Sequence, residues 1–98
     1  IATMEEAMAC AAAGADFVGT TMRGYTPETK GIDETDFAFI EQLVKECPAK
    51  VIAEGHVQRP EQAVKCLQTG AWAVVVGGAI TRPAEITARF TKAIYENK

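Results

Sequence analysis

The stretch Ala71-Trp72-Ala73-Val74-Val75-Val76-Gly77-Gly78-Ala79-Ile80-Thr81-Arg82-Pro83 joins an apolar, β-branched run to two glycines and a proline. Such an order predicts a buried strand, a tight loop and a helix beginning near Pro83. Glycines let backbone amides approach a ligand closely, and the first N–H groups of a helix have no intrahelical partner. An anion can therefore be held with few charged side chains, and Arg82 supplies one. A strand-loop-helix junction whose glycines serve only close packing is the alternative.

The 98 residues carry 10 Lys and Arg against 13 Asp and Glu, a formal charge of -3. A nucleic-acid surface would need a basic stripe, so no nucleic-acid partner is expected and any anionic ligand must be held locally. No apolar run approaches the roughly 20 residues needed to cross a bilayer, and no membrane segment is expected. No signal peptide is expected either, and the true N-terminus is expected to lie upstream of Ile1. Cys10, Cys47 and Cys66 show no Cys-x-x-Cys spacing and have only His56 for company. The thiols therefore predict helix-face packing in a reducing compartment, with no metal site.

Working outward from the quoted stretch, the chain predicts helix, strand, helix, strand, helix, strand, helix. Thr3 and Glu6 form a candidate capping box ahead of the stripe Met4, Ala7, Met8, Ala11 and Ala12, and Gly14 ends this helix. Ala15 to Thr20 predicts a strand, followed by a loop to about Asp33 that is long enough to bind or cover a ligand. Arg23, Tyr25, Thr26 and Lys30 are its candidate contact residues, with an ordinary surface loop as the alternative. A second helix runs from about Thr35 to Glu46, with Phe37, Ile40, Leu43 and Val44 on one face. Val51-Ile52-Ala53 is the next strand. The third helix starts at Pro60, carries Ala63, Val64 and Leu67 as its stripe and closes at Gly70. The last is expected to bury Ile86, Phe90, Ala93 and Ile94.

Glu5-Glu6-Ala7, Cys10 and Gly14-Ala15 recur as Glu61-Gln62-Ala63, Cys66 and Gly70-Ala71. A strand follows each time, so the helix-strand unit repeats, as suits a (β/α)8 barrel. Three strands cannot close a barrel. The expectation is an α/β chain forming the C-terminal portion of a (β/α)8 TIM barrel, with residues 1–98 contributing three adjacent parallel strands and four helices on one face to a single domain.

In such barrels functional groups stand at the carboxyl ends of the strands, and phosphate commonly sits among the loops after the last two. Glu54 ends the middle strand, Thr20 and Thr21 end the one before, and Gly77-Gly78 end the one after. A carboxylate so placed can move a proton, or can simply pair with a neighbouring strand's lysine.

Gly19-Thr20-Thr21 with Gly24-Tyr25-Thr26, Val51-Ile52-Ala53-Glu54-Gly55 and Val76-Gly77-Gly78-Ala79-Ile80-Thr81-Arg82-Pro83 together resemble the C-terminal part of the N-acetylmannosamine-6-phosphate 2-epimerase family. The resemblance runs through nearly the whole chain in order and spacing. It implies a barrel of which this chain is the part from the helix after the fifth strand onward. It also implies interconversion of N-acetylmannosamine 6-phosphate and N-acetylglucosamine 6-phosphate by removal and return of the proton at C2, a cytoplasmic step in sialic acid breakdown. No cofactor is implied; the partner is the small phosphosugar, and the complete protein is expected to be a homodimer. The family's acid/base lysine lies on an earlier strand. Glu54 matches its active-site glutamate, and Gly77, Gly78, Ala79 and Arg82 match its phosphate-binding part. Gly55 and Thr20 complete the candidate binding set. After Glu54-Gly55 a longer basic side chain is expected where this sequence has His56.

Two other functions compete: another phosphosugar-binding barrel enzyme, such as an aldolase or a heterocycle synthase, and a non-catalytic phosphosugar-binding fragment. A lysine at the end of an upstream strand would discriminate among them.

Overall fold

A computed structural model describes residues 1–98. The elements are α1 (Met4–Ala12), β1 (Phe17–Gly19), a 3₁₀ turn (Pro27–Thr29), α2 (Phe37–Glu46), β2 (Lys50–Glu54), α3 (Pro60–Gln68), β3 (Ala73–Val75), α4 (Gly78–Thr81) and α5 (Pro83–Glu96). The three strands are parallel and lie in chain order, β1-β2-β3. Val18 faces Val51 across the first pair, and Glu54 faces Val75 across the second.

The repeated residues mark two identical helix frames. At the start of α1, Glu6 Oε1 accepts the N–H groups of Ala2 and Thr3, at 2.8 and 3.0 Å. At the start of α3, Gln62 Oε1 accepts those of Gln58 and Arg59, at 2.7 and 2.9 Å. Both helices end in a Schellman motif: Gly14 N–H bonds Ala11 O and Ala15 N–H bonds Cys10 O, while Gly70 bonds Leu67 and Ala71 bonds Cys66. Gly14 and Gly70 adopt φ of 102° and 111°, which only glycine enters freely.

Alternation along β2 sends Val51 and Ala53 into the core and leaves Lys50, Ile52 and Glu54 on the other face. The core gathers Ala7 of α1, Phe39, Ile40 and Leu43 of α2, Cys66 of α3, and Val18, Val51 and Ala53 of the sheet. Helices α1, α2 and α3 thus cover one face of the sheet. Cys47 and Cys66 are buried, as helix-face packing predicts, whereas Cys10 is exposed. Burial pushes the Cys66 thiol up from its ordinary range.

Three sequence expectations need correction. The helices number five, because one turn, α4, forms directly on the glycines. It breaks where Pro83 forces Arg82 into extended backbone, φ -114° and ψ 90°, and Pro83 then starts α5 afresh. Secondly, α5 does not join the helices on the covered face: it buries no residue, Phe90 being 69% and Ile94 59% exposed. Its apolar stripe is real, but no surface of this chain lies opposite it. Thirdly, α3 buries Cys66 while Val64 and Leu67 remain exposed, so only part of its apolar stripe finds cover within the chain.

Candidate active site

Glu54 is the last residue of β2, on the face that the helices do not cover. Two threonines ending β1 position it in different ways. Thr20 is buried, and its Oγ1 accepts the Glu54 N–H and donates to the Glu54 carbonyl, both at 2.9 Å, fixing the strand end. Thr21 is exposed and donates its hydroxyl to Glu54 Oε1 at 2.9 Å. Thr20, a candidate binding residue from sequence, therefore meets Glu54 through its main chain, and Thr21 is the hydroxyl beside the carboxylate.

Beyond β3 the chain turns at Gly77, with φ -108° and ψ -102°. The N–H groups of Gly55, Gly77, Gly78 and Ala79 donate to no acceptor within the chain. A Cβ at Gly77 would meet nothing within 4 Å, so the space above this turn is open to a ligand. Arg82 closes the following turn, and its Nη1 lies 3.2 Å from Glu85 Oε1, both side chains being exposed. Arg89 of α5 reaches back to donate to Ala79 O at 3.1 Å and Gln58 Oε1 at 3.2 Å. Sequence reasoning missed Arg89 and Glu85, since a helix-face arginine or glutamate gives no signal of a contact with a distant loop.

The loop after β1 is a built structure. Arg23 donates to Ala2 O at 2.9 Å, pairs with Asp36 at 3.2 Å and lies 4.0 Å over the Phe39 ring. It holds the loop to α2. Thr29 Oγ1, buried, accepts the Gly24 N–H at 2.9 Å and meets Thr26 Oγ1 at 2.7 Å. Tyr25 stacks on His56, ring centroids 4.9 Å apart and planes 7° from parallel. Lys30 is exposed.

These parts enclose a groove of about 670 Å³ that brings Thr21, Tyr25, Glu54, Gly55, Gly77, Gly78, Ala79 and Arg82 to one surface. A carboxylate able to carry a proton lies at its centre. Unpaired amides and a guanidinium at one side suit an anion.

The family model described as "Putative N-acetylmannosamine-6-phosphate epimerase" matches residues 1–96. The chain belongs to this N-acetylmannosamine-6-phosphate epimerase family. A relative from Enterobacter sp. (strain 638), named "Putative N-acetylmannosamine-6-phosphate 2-epimerase", is 52% identical over 96% of this chain and 41% of its own length. One of the same name from Staphylococcus carnosus is 50% identical over 95% and 42%. The solved N-acetylmannosamine-6-phosphate 2-epimerase from Clostridium perfringens superposes with a TM-score of 0.90 at 47% identity, covering 95% of this chain and 41% of that one. The chain thus spans about two fifths of the length of the epimerase-family proteins it matches.

Proposed function

We propose that this chain forms the C-terminal portion of a (β/α)8 barrel that interconverts N-acetylmannosamine 6-phosphate and N-acetylglucosamine 6-phosphate without a cofactor. Residues 1–98 would belong to one barrel domain of a cytoplasmic enzyme. Supporting this reading above all is the groove itself: the Glu54 carboxylate, held by Thr21 at 2.9 Å, shares it with the unpaired amides of Gly77, Gly78 and Ala79.

In the proposed reaction a base takes the proton from C2 of the open-chain sugar, charge develops on the neighbouring carbonyl oxygen, and a proton returns to the opposite face of C2. The difficult point is the charge on oxygen, which needs a placed donor or cation. Glu54 would carry protons or balance the charge of a basic partner, with Thr21 fixing its orientation. Gly55, Gly77, Gly78, Ala79 and Arg82 would hold the phosphate, whose binding energy fixes the sugar in place. Thr20 would act by holding the Glu54 main chain. The base is assigned to an upstream strand: Lys50 begins β2 at the far end of the sheet, and the other lysines lie in the long loop or on α2, α3 and α5 or at the C-terminus. The complete protein would be a homodimer.

The test places this chain in the Clostridium perfringens epimerase in exchange for its matching segment. Glu54→Gln keeps size and removes basicity, and is expected to lower kcat by roughly 10²-fold or more. Arg82→Ala is expected to raise KM more than it lowers kcat, as loss of a contact common to ground and transition states does. Near-normal kcat in a folded Glu54→Gln chimera would reduce Glu54 to scaffolding.

A further inference from the structure

Phosphate and proton chemistry leave one wall of the groove unexplained. In the sheet order β1-β2-β3, Glu54 lies between the loop after β1 and the glycine turn after β3. With the phosphate of a sugar phosphate on the β3 side and its reacting carbon at Glu54, the β1 loop is the wall of the groove on the other side of that carbon, placed to receive its substituent. That loop presents Met22, 45% exposed, and Tyr25, 61% exposed, beside an ionisable carboxylate. Apolar surface in such a polar place suits a ligand with an apolar group there.

The Tyr25 ring is fixed before any ligand arrives. It lies parallel on His56, and His56 is held in left-handed backbone, φ 61°, with its carbonyl accepting the Thr35 hydroxyl at 3.0 Å. Gly24 packs against the other edge of the imidazole: its φ is 98°, and a Cβ there would collide with Ile32 O and stand 2.9 Å from His56 Nε2. That nitrogen is buried without a hydrogen-bond partner, so shape and stacking hold the ring. The imidazole, where a longer basic side chain is expected, thus supports Tyr25. A pre-set aromatic face costs little ordering entropy on binding.

We propose that Tyr25, seated on His56, is a specificity-determining residue that takes the methyl of the substrate's 2-acetamido group on its ring. The proposal rests on the phosphosugar reading given above. Tyr offers an apolar body for the methyl and a hydroxyl for the amide, both of which a C2 hydroxyl sugar would leave unused. His56 is the positioning residue.

The Clostridium perfringens epimerase carrying this chain in place of its matching segment, labelled with ¹⁵N, is titrated with inorganic phosphate, glucose 6-phosphate and N-acetylglucosamine 6-phosphate. All three are expected to shift the Gly77 and Gly78 amides. Only the acetylated sugar is expected to shift Tyr25 and His56, and it should bind about tenfold tighter than glucose 6-phosphate, the lower end of what a methylene-sized apolar contact discriminates. Tyr25→Ala and His56→Ala should remove that preference and leave the phosphate Kd unchanged, while Tyr25→Phe keeps most of it. Equal affinity for the two sugars in the chimera with no point substitution, with Gly77 and Gly78 still shifting, overturns the role of Tyr25 and leaves the phosphate site standing; this result needs no further variant to fold. No shift at Gly77 or Gly78 with any of the three overturns the phosphosugar reading, and the proposal with it.

Discussion

The two faces of the sheet differ in how complete they are. On the covered face, α1, α2 and α3 meet Val18, Val51 and Ala53, and the apolar side chains of that core find partners within the chain. On the other face Phe17 and Val75 are exposed, Glu54 lies in an open groove, and α5 projects its stripe past the sheet. A parallel sheet is ordinarily covered on both faces, so the contrast separates a finished core from an unfinished site. Amphipathicity says that a helix has a partner; it does not say which segment supplies it.

The sharpest way to break this contrast is to cut one side chain from each region. Leu43 is fully buried, and Leu43→Ala should cost about 2–5 kcal/mol, a large share of the stability of a chain of this size. Phe90→Ala in α5 should change monomer stability by less than about 0.5 kcal/mol. Urea unfolding at low protein concentration measures both, and a core-sized cost for Phe90 would show α5 packed against its own chain.

A smaller effect sharpens the account of the repeated frame. The backbone N–H of Ala2 holds the Glu6 carboxyl below the usual carboxylate range. A lowered folded-state value contributes stability above the unfolded-state value and loses it as pH falls through the folded one. Between pH 6 and pH 2, Glu6→Gln should therefore narrow the fall in Tm slightly, keeping the cap while removing the titration. An unchanged pH profile would show that the carboxylate's charge contributes nothing to the α1 frame.

Much of the covered face was legible in the sequence, because it is written in local terms. Thr3 and Glu6 announced the start of α1, Gly14 and Gly70 the helix ends, and alternating Val51 and Ala53 the buried side of β2. Strand ends were less legible: the strand expected over Ala15 to Thr20 forms only at Phe17–Gly19, since parallel pairing with β2 sets its length. The turn α4 escaped notice because four residues containing a glycine carry no helical period. At the site, Glu54 and the glycines were legible from their place after apolar runs. The Tyr25–His56 stack was not, because it joins residues 31 positions apart through a left-handed backbone that residues other than glycine adopt uncommonly. The burial expected of α5 does not follow from its periodicity, which fixes a face and leaves open what covers it.

In the proposed division of labour these residues hold the carboxylate and the phosphate loop, and the base lies on an upstream strand. Deuterium entering C2 of N-acetylmannosamine 6-phosphate in D₂O, followed by NMR, tests it with the 98-residue chain alone and with the Clostridium perfringens chimera carrying it. Exchange is expected from the chimera and none from the chain alone. Exchange by the chain alone at the chimera's rate, or a folded chimera that exchanges nothing, would contradict that division.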